Sequence, residues 1–117
     1  MDMNIKAIKQ VTVIEIVGEI DGMIAPEVQQ QILPLVQPGS KILLDMNGVP
    51  YMSSAGLRML LSTYRQVSSN QGQLVLVGLS EDIQDTMSAT GFLRFFTTHE
   101  TVEAGLATLQ NGETWNE

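Results

Sequence analysis

The sequence predicts an α/β domain on a mixed, mostly parallel sheet of about five strands, with four helices. Three observations carry that expectation. Ile42-Leu43-Leu44 and Leu74-Val75-Leu76-Val77 are short unbroken apolar runs, the pattern of strands in a sheet covered on both faces. Between them Leu57, Leu60, Leu61, Tyr64 and Val67 recur at i, i+3, i+4, i+7 and i+10, the stripe of an amphipathic helix. Strand and helix patterns then alternate to the end of the chain, in the order β-β-α-β-α-β-α-β-α.

Taken in order, Met3–Lys9 and Val11–Val17 alternate as two strands, with Lys9-Gln10-Val11 as the turn of an opening hairpin. Pro26 stands in a first helical turn, where its missing N–H is tolerated, and Val28, Ile32, Leu35 and Val36 follow at helical spacing. Pro34 should bend or shorten that helix, because it cannot donate to the carbonyl four residues back. Ser80 is placed to cap a helix with Glu81 and Asp82 at its positive end, Ile83 and Met87 on its apolar side and Gly91 at its stop. Phe95-Phe96-Thr97 reads as a last short strand. Thr101 caps a final helix carrying Val102, Leu106 and Leu109. One domain is expected over residues 3–110, with a polar frayed tail over 111–117 in which Trp115 finds no core partner.

Composition narrows the function classes. The 117 residues include 6 Lys+Arg and 13 Asp+Glu, a formal net charge of −7, so phosphate backbones are repelled and direct nucleic-acid binding is disfavoured. With no cysteine there is no disulfide scaffold and no thiolate zinc site. The single histidine, His99, cannot build a multi-histidine metal site within one chain. No metal or cofactor is expected. No apolar run reaches the roughly 20 residues of a membrane span, and Met1–Lys9 lacks the apolar centre of a signal peptide. A cytoplasmic protein is the expectation.

The informative stretch is Asp45-Met46-Asn47-Gly48-Val49-Pro50-Tyr51-Met52-Ser53-Ser54-Ala55-Gly56-Leu57. It leaves the carboxyl end of a buried strand and enters the strongest helix, the edge where ligands and functional loops gather in open α/β sheets. Ser53 or Ser54 falls at that helix N-terminus, where orphan N–H groups and the macrodipole favour negative charge. Capping accounts for one of these serines. A modified or anion-binding serine is the other reading, and Gly56 leaves the turn small enough to admit a partner's active site. A serine nucleophile elbow would need Gly two residues before the serine, and neither has one. No Gly-x-x-x-x-Gly-Lys-Ser/Thr loop exists, and His99 in Thr97-Thr98-His99-Glu100 reads as a solvated turn residue. No enzyme is expected. Asp21, closing Gly18-Glu19-Ile20-Asp21, is either a turn or capping carboxylate or a residue facing the same sheet edge.

These segments together resemble the STAS domain, the fold of bacterial anti-sigma factor antagonists. Gly18-Glu19-Ile20-Asp21 is similar to that family's Gly-Glu-hydrophobic-Asp turn, and Met52-Ser53-Ser54-Ala55-Gly56-Leu57 to its Met-Asp-Ser-Ser/Thr-Gly-Leu motif. The likeness runs from Val13–Asp21 through Ala25-Pro26 and Leu44–Gly56, then loosely to Leu109. It implies a phosphorylation-controlled partner switch in which Ser54 is the acceptor and Asp21, Glu19, Ser53, Ala55 and Gly56 meet the partner. The unphosphorylated form would bind a GHKL-type serine kinase that is also an anti-sigma factor, phosphorylation would release it, and a metal-dependent serine phosphatase would reset the cycle. Two departures stand out: Ser53 replaces the motif's Asp, and Ala55 removes a competing acceptor. An anion- or nucleotide-sensing STAS regulatory domain is the alternative.

Overall fold

The computed structural model describes residues 1–110. Five strands form one sheet in the order β1 (Asp2–Ile8), β2 (Val11–Val17), β3 (Lys41–Gly48), β4 (Gln73–Val77), β5 (Thr97–His99). Four helices connect and follow them, α1 (Ala25–Ile32), α2 (Ser54–Ser69), α3 (Glu81–Thr90) and α4 (Val102–Gln110). β1 runs antiparallel to β2, and β2 to β5 are parallel. This is the mixed, mostly parallel α/β architecture that the patterning predicts.

The two apolar runs are neighbouring parallel strands, with Ile42 opposite Leu74, Leu43 opposite Val75 and Leu44 opposite Leu76. Their side chains alternate between two cores. Ile42, Leu44, Met46 and Leu76 join Val28 and Ile32 of α1, Leu57 and Leu60 of α2, and Ile83 and Met87 of α3. Leu43, Val75 and Val77 face Leu109 of α4, with Val102 and Leu106 at the margin. An unbroken apolar run is therefore what a strand with helices on both faces requires. The opening hairpin turns on Lys9 and Gln10, both at positive φ (49° and 73°), as a tight two-residue turn demands. Val11 already belongs to the strand. Pro34 acts as expected: α1 ends at Ile32 and the chain continues as a 3₁₀ turn over Leu33–Leu35.

Two expectations need correction. Phe95-Phe96-Thr97 is not the last strand. Leu93–Phe95 form a 3₁₀ turn and β5 begins at Thr97. The turn brings both phenylalanines to Tyr64, with ring centroids 5.9 and 5.5 Å away, an aromatic cluster that extended backbone would split between two faces. The buried side of α2 is also rotated from its predicted stripe. Gly56, Leu57, Met59, Leu60, Thr63 and Val67 are buried, whereas Leu61 and Tyr64 are only half-buried. Thr63 tolerates burial because its hydroxyl donates to the Met59 carbonyl at 2.9 Å, leaving its methyl to the core. His99, expected in a solvated turn, ends β5 half-buried, its Nε2 2.7 Å from Thr108 Oγ1. The remaining caps are as read: Ser80 accepts from Ile83 N–H, Gly91 closes α3 at φ +80°, and Thr101 accepts from Ala104 N–H. Trp115 and the polar tail lie outside the described residues.

Helix phase gives the first prediction. Leu60→Ala should lower unfolding free energy by about 2–5 kcal/mol, the range for a fully buried leucine, while Leu61→Ala should cost less than half as much. Chemical denaturation of both variants checks this. Equal losses would put the apolar stripe back where the sequence placed it.

Candidate functional site

The carboxyl edge of the sheet is organised by a continuation of strand pairing beyond the strands themselves. Ile20 N–H donates to the Tyr51 carbonyl at 3.0 Å, Ser53 N–H donates to the Ile20 carbonyl at 2.9 Å, and Ile20 and Met52 form an isolated parallel bridge. Just upstream, Gly18 N–H donates to the Gly48 carbonyl at 2.9 Å. The segment after β2 and the segment after β3 are thus zipped together. Residues following the bridge share one edge: Asp21 and Gly22 from the first segment, Ser53 and Ser54 from the second. Gly56 seals the arrangement from below. A Cβ at this buried position would run into the Met52 side chain and come within 3.1 Å of Ile20 Cγ2, so only glycine lets the first turn of α2 sit on the bridge.

That geometry separates the two serines. Ser53 is the N-cap of α2, with extended backbone (φ −77°, ψ 175°), and its side chain accepts from Gly56 N–H at 3.4 Å. Ser54 is the first helical residue and is exposed. Its hydroxyl has no hydrogen-bond partner among the described residues. The Ser53 side chain serves the helix and the Ser54 side chain serves solvent. Ala55 is half-buried beside them.

Asp21 is exposed and does structural work as well. One carboxylate oxygen accepts from Met23 N–H at 2.9 Å and Ile24 N–H at 3.0 Å, and its carbonyl accepts from Ala25 N–H at 2.9 Å. It holds the turn into α1 in the manner of a capping residue while standing at the same edge as Ser54. Glu19 is exposed on the same segment. Gly56, expected among the partner-facing residues, is buried under the turn and shapes it. His99 ends β5, with β4 lying between its strand and the strand that leads to Ser54, so the two are not assembled as a nucleophile and base. No group of three or more His, Asp or Glu among the described residues could hold a metal ion.

The structure adds two residues that sequence reading missed. Met23 is 82% exposed and Tyr51 51% exposed, large apolar groups on the two zipped segments. Single exposed apolar side chains are common on protein surfaces, and these two stand out only by their place at the carboxyl edge. The signal was present in principle: each sits in a loop at the carboxyl edge and outside any periodic stripe.

The model of the STAS domain matches residues 2–105. This chain belongs to the STAS domain family. The anti-sigma-B factor antagonist of Bacillus subtilis is 33% identical to it over 78 residues, 67% of this chain and 72% of that protein. The anti-sigma factor antagonist from Mycobacterium paratuberculosis has the same fold, with a TM-score of 0.82, 24% identity and 93% of each chain covered. SpoIIAA of Bacillus in its phosphorylated form also superposes, with a TM-score of 0.70, 17% identity, and 91% of this chain and 97% of that one covered. Among the described residues of this STAS domain, no helix is long and apolar enough to cross a membrane.

The double role of Asp21 is separable. Asp21→Asn keeps an oxygen for the two N–H groups, so thermal stability should stay within about 0.5 kcal/mol of wild type. Asp21→Ala removes the acceptor and should cost about 0.5–2 kcal/mol, as loss of a helix cap does. Equal stability of the two variants would show that the turn does not depend on the carboxylate.

Proposed function

We propose that this STAS domain is an anti-sigma factor antagonist that works as a phosphorylation-controlled partner switch, with Ser54 taking the phosphate. The observation that carries the proposal is the division between the serines: the cap is filled by Ser53, leaving Ser54 exposed on the first turn of α2 with no bond from its hydroxyl among the described residues. The names of the relatives support the antagonist role. SpoIIAA, which shares the fold, exists in a phosphorylated form, and that supports an acceptor on this scaffold.

In the unphosphorylated state the edge presents Met23 and Tyr51 for apolar contact, with Glu19, Asp21, Ser53 and Ala55 on the same paired segments as Ser54. The partner is an anti-sigma factor that is also a GHKL-type serine kinase. Transfer of a phosphoryl group from ATP to Ser54 Oγ forms a phosphate ester, releases ADP and adds about −1.5 to −2 charges at neutral pH. The phosphate then stands in the interface beside the Asp21 and Glu19 carboxylates, where desolvation and like-charge repulsion both oppose binding. Losing about 3 kcal/mol weakens the complex roughly a hundredfold, enough to exchange partners without refolding the domain. A metal-dependent serine phosphatase hydrolyses the ester and restores the binding state.

Labelling by the cognate kinase tests this. Ser54→Ala should abolish incorporation of phosphate, keep the partner bound and change stability by less than about 0.5 kcal/mol. Ser53→Ala should still be labelled while losing about 1 kcal/mol of stability with its cap. Label that persists in Ser54→Ala and disappears in Ser53→Ala would reverse the two roles.

A further inference from the structure

We propose that Arg58 clasps the phosphate once Ser54 carries it, so that the phosphorylated state is held by an ion pair within α2. The proposal rests on Ser54 being the phosphorylated residue and adds what this chain does with the charge. Arg58 is exposed and lies four residues after Ser54. Side chains at i and i+4 of a helix are neighbours, with Cβ atoms about 5–6 Å apart. Helical side chains also lean towards the N-terminus, so the guanidinium reaches back over the turn that contains Ser54. Arg58 also lines a cleft between the starts of α1 and α2 together with Gly22, Pro26 and Ala55, the last of these adjoining Ser54 in the chain.

The charge layout makes Arg58 distinctive. Of the six Lys and Arg residues, Lys9 and Lys41 stand at the opposite, amino edge of the parallel strands. Lys6 pairs with Val13 in the first half of β2, Arg65 is two turns further along α2, and Arg94 precedes β5. Only Arg58 lies within about one turn of the Ser54 edge. The capping residue Ser53 is neutral and offers no competing carboxylate. Asp21 and Glu19 on the facing segment act against the dianion, and Arg58 with the amino end of α2 act for it. A guanidinium also meets phosphate oxygens through paired N–H donors, a stronger contact than an ordinary exposed ion pair.

The test installs phosphoserine at position 54 of the full chain by genetic encoding and follows its second ionisation by phosphorus NMR. Pairing favours the dianion, so Arg58→Gln should raise the proton affinity of the phosphate by about two- to fourfold. Arg65→Gln, which removes the same charge further away, should change it by less than half as much. Phosphorylation should also raise the melting temperature more in the wild type than in Arg58→Gln. Equal responses of Arg58→Gln and Arg65→Gln, or no response to either, would overturn the clasp. Because the phosphate is installed during translation, this outcome is independent of whether a kinase labels Ser54. Failure of the labelling experiment above rejects the switch, and failure of this titration rejects the clasp.

Discussion

The short run of backbone pairing at Ile20 and Met52 is the constraint on which the functional edge depends. Two loops that leave adjacent parallel strands would ordinarily diverge, each free to choose its own turn. Here Ile20 accepts from Ser53 N–H and donates to the Tyr51 carbonyl, so each loop fixes the other's register. Everything at the edge is counted from that bridge. One residue further on stand Asp21, which closes the turn into α1, and Ser53, which caps α2. Gly56 lets the helix descend onto the bridge, because any side chain there would collide with Met52. Ser54 is exposed as a consequence: the helix starts at that residue and its predecessor has taken the cap.

This placement separates stability from regulation. The groups that fold the edge are Ser53, the Asp21 carboxylate and Gly56, each satisfied inside the chain. Among the described residues nothing bonds the Ser54 hydroxyl, and Met23 and Tyr51 are exposed. A covalent change at Ser54 therefore alters the surface charge without removing a bond that the domain needs. The proposed Arg58 contact would act in the same direction, since an ion pair made from within α2 leaves the Ser53 cap in place. Switching by charge at a preformed edge suits a small domain whose two cores are continuous with the loops that carry the site.

Much of this fold was legible in the sequence, for identifiable reasons. The runs at Ile42–Leu44 and Leu74–Val77 fit strands covered on both faces, and Ser80, Gly91 and Thr101 mark helix ends by local chemistry that packing does not override. What escaped was set by tertiary contacts. Thr63 counts as polar until its hydroxyl is seen to bond Met59, and its burial rotates α2 away from Leu61. Phe95 and Phe96 have strand propensity, yet Phe95 ends a 3₁₀ turn and the extended Phe96 follows it, so that both rings pack on Tyr64. At the edge, the motif residues could be located from sequence, but adjacent serines are chemically alike. Only the pairing register assigns the cap to one and exposure to the other. Met23 and Tyr51 stayed hidden because nothing periodic marks an exposed residue in a loop.

On the proposed switch, this register makes Ser54, and not Ser53, the residue that receives phosphate. Its most direct measurement is the intact mass and fragment mapping of the protein isolated from its native host under growth and under stress. A population heavier by one phosphate is expected, its proportion changing between the two conditions, with the group localised to Ser54. A phosphate on Ser53, or a mass that never changes, would contradict it.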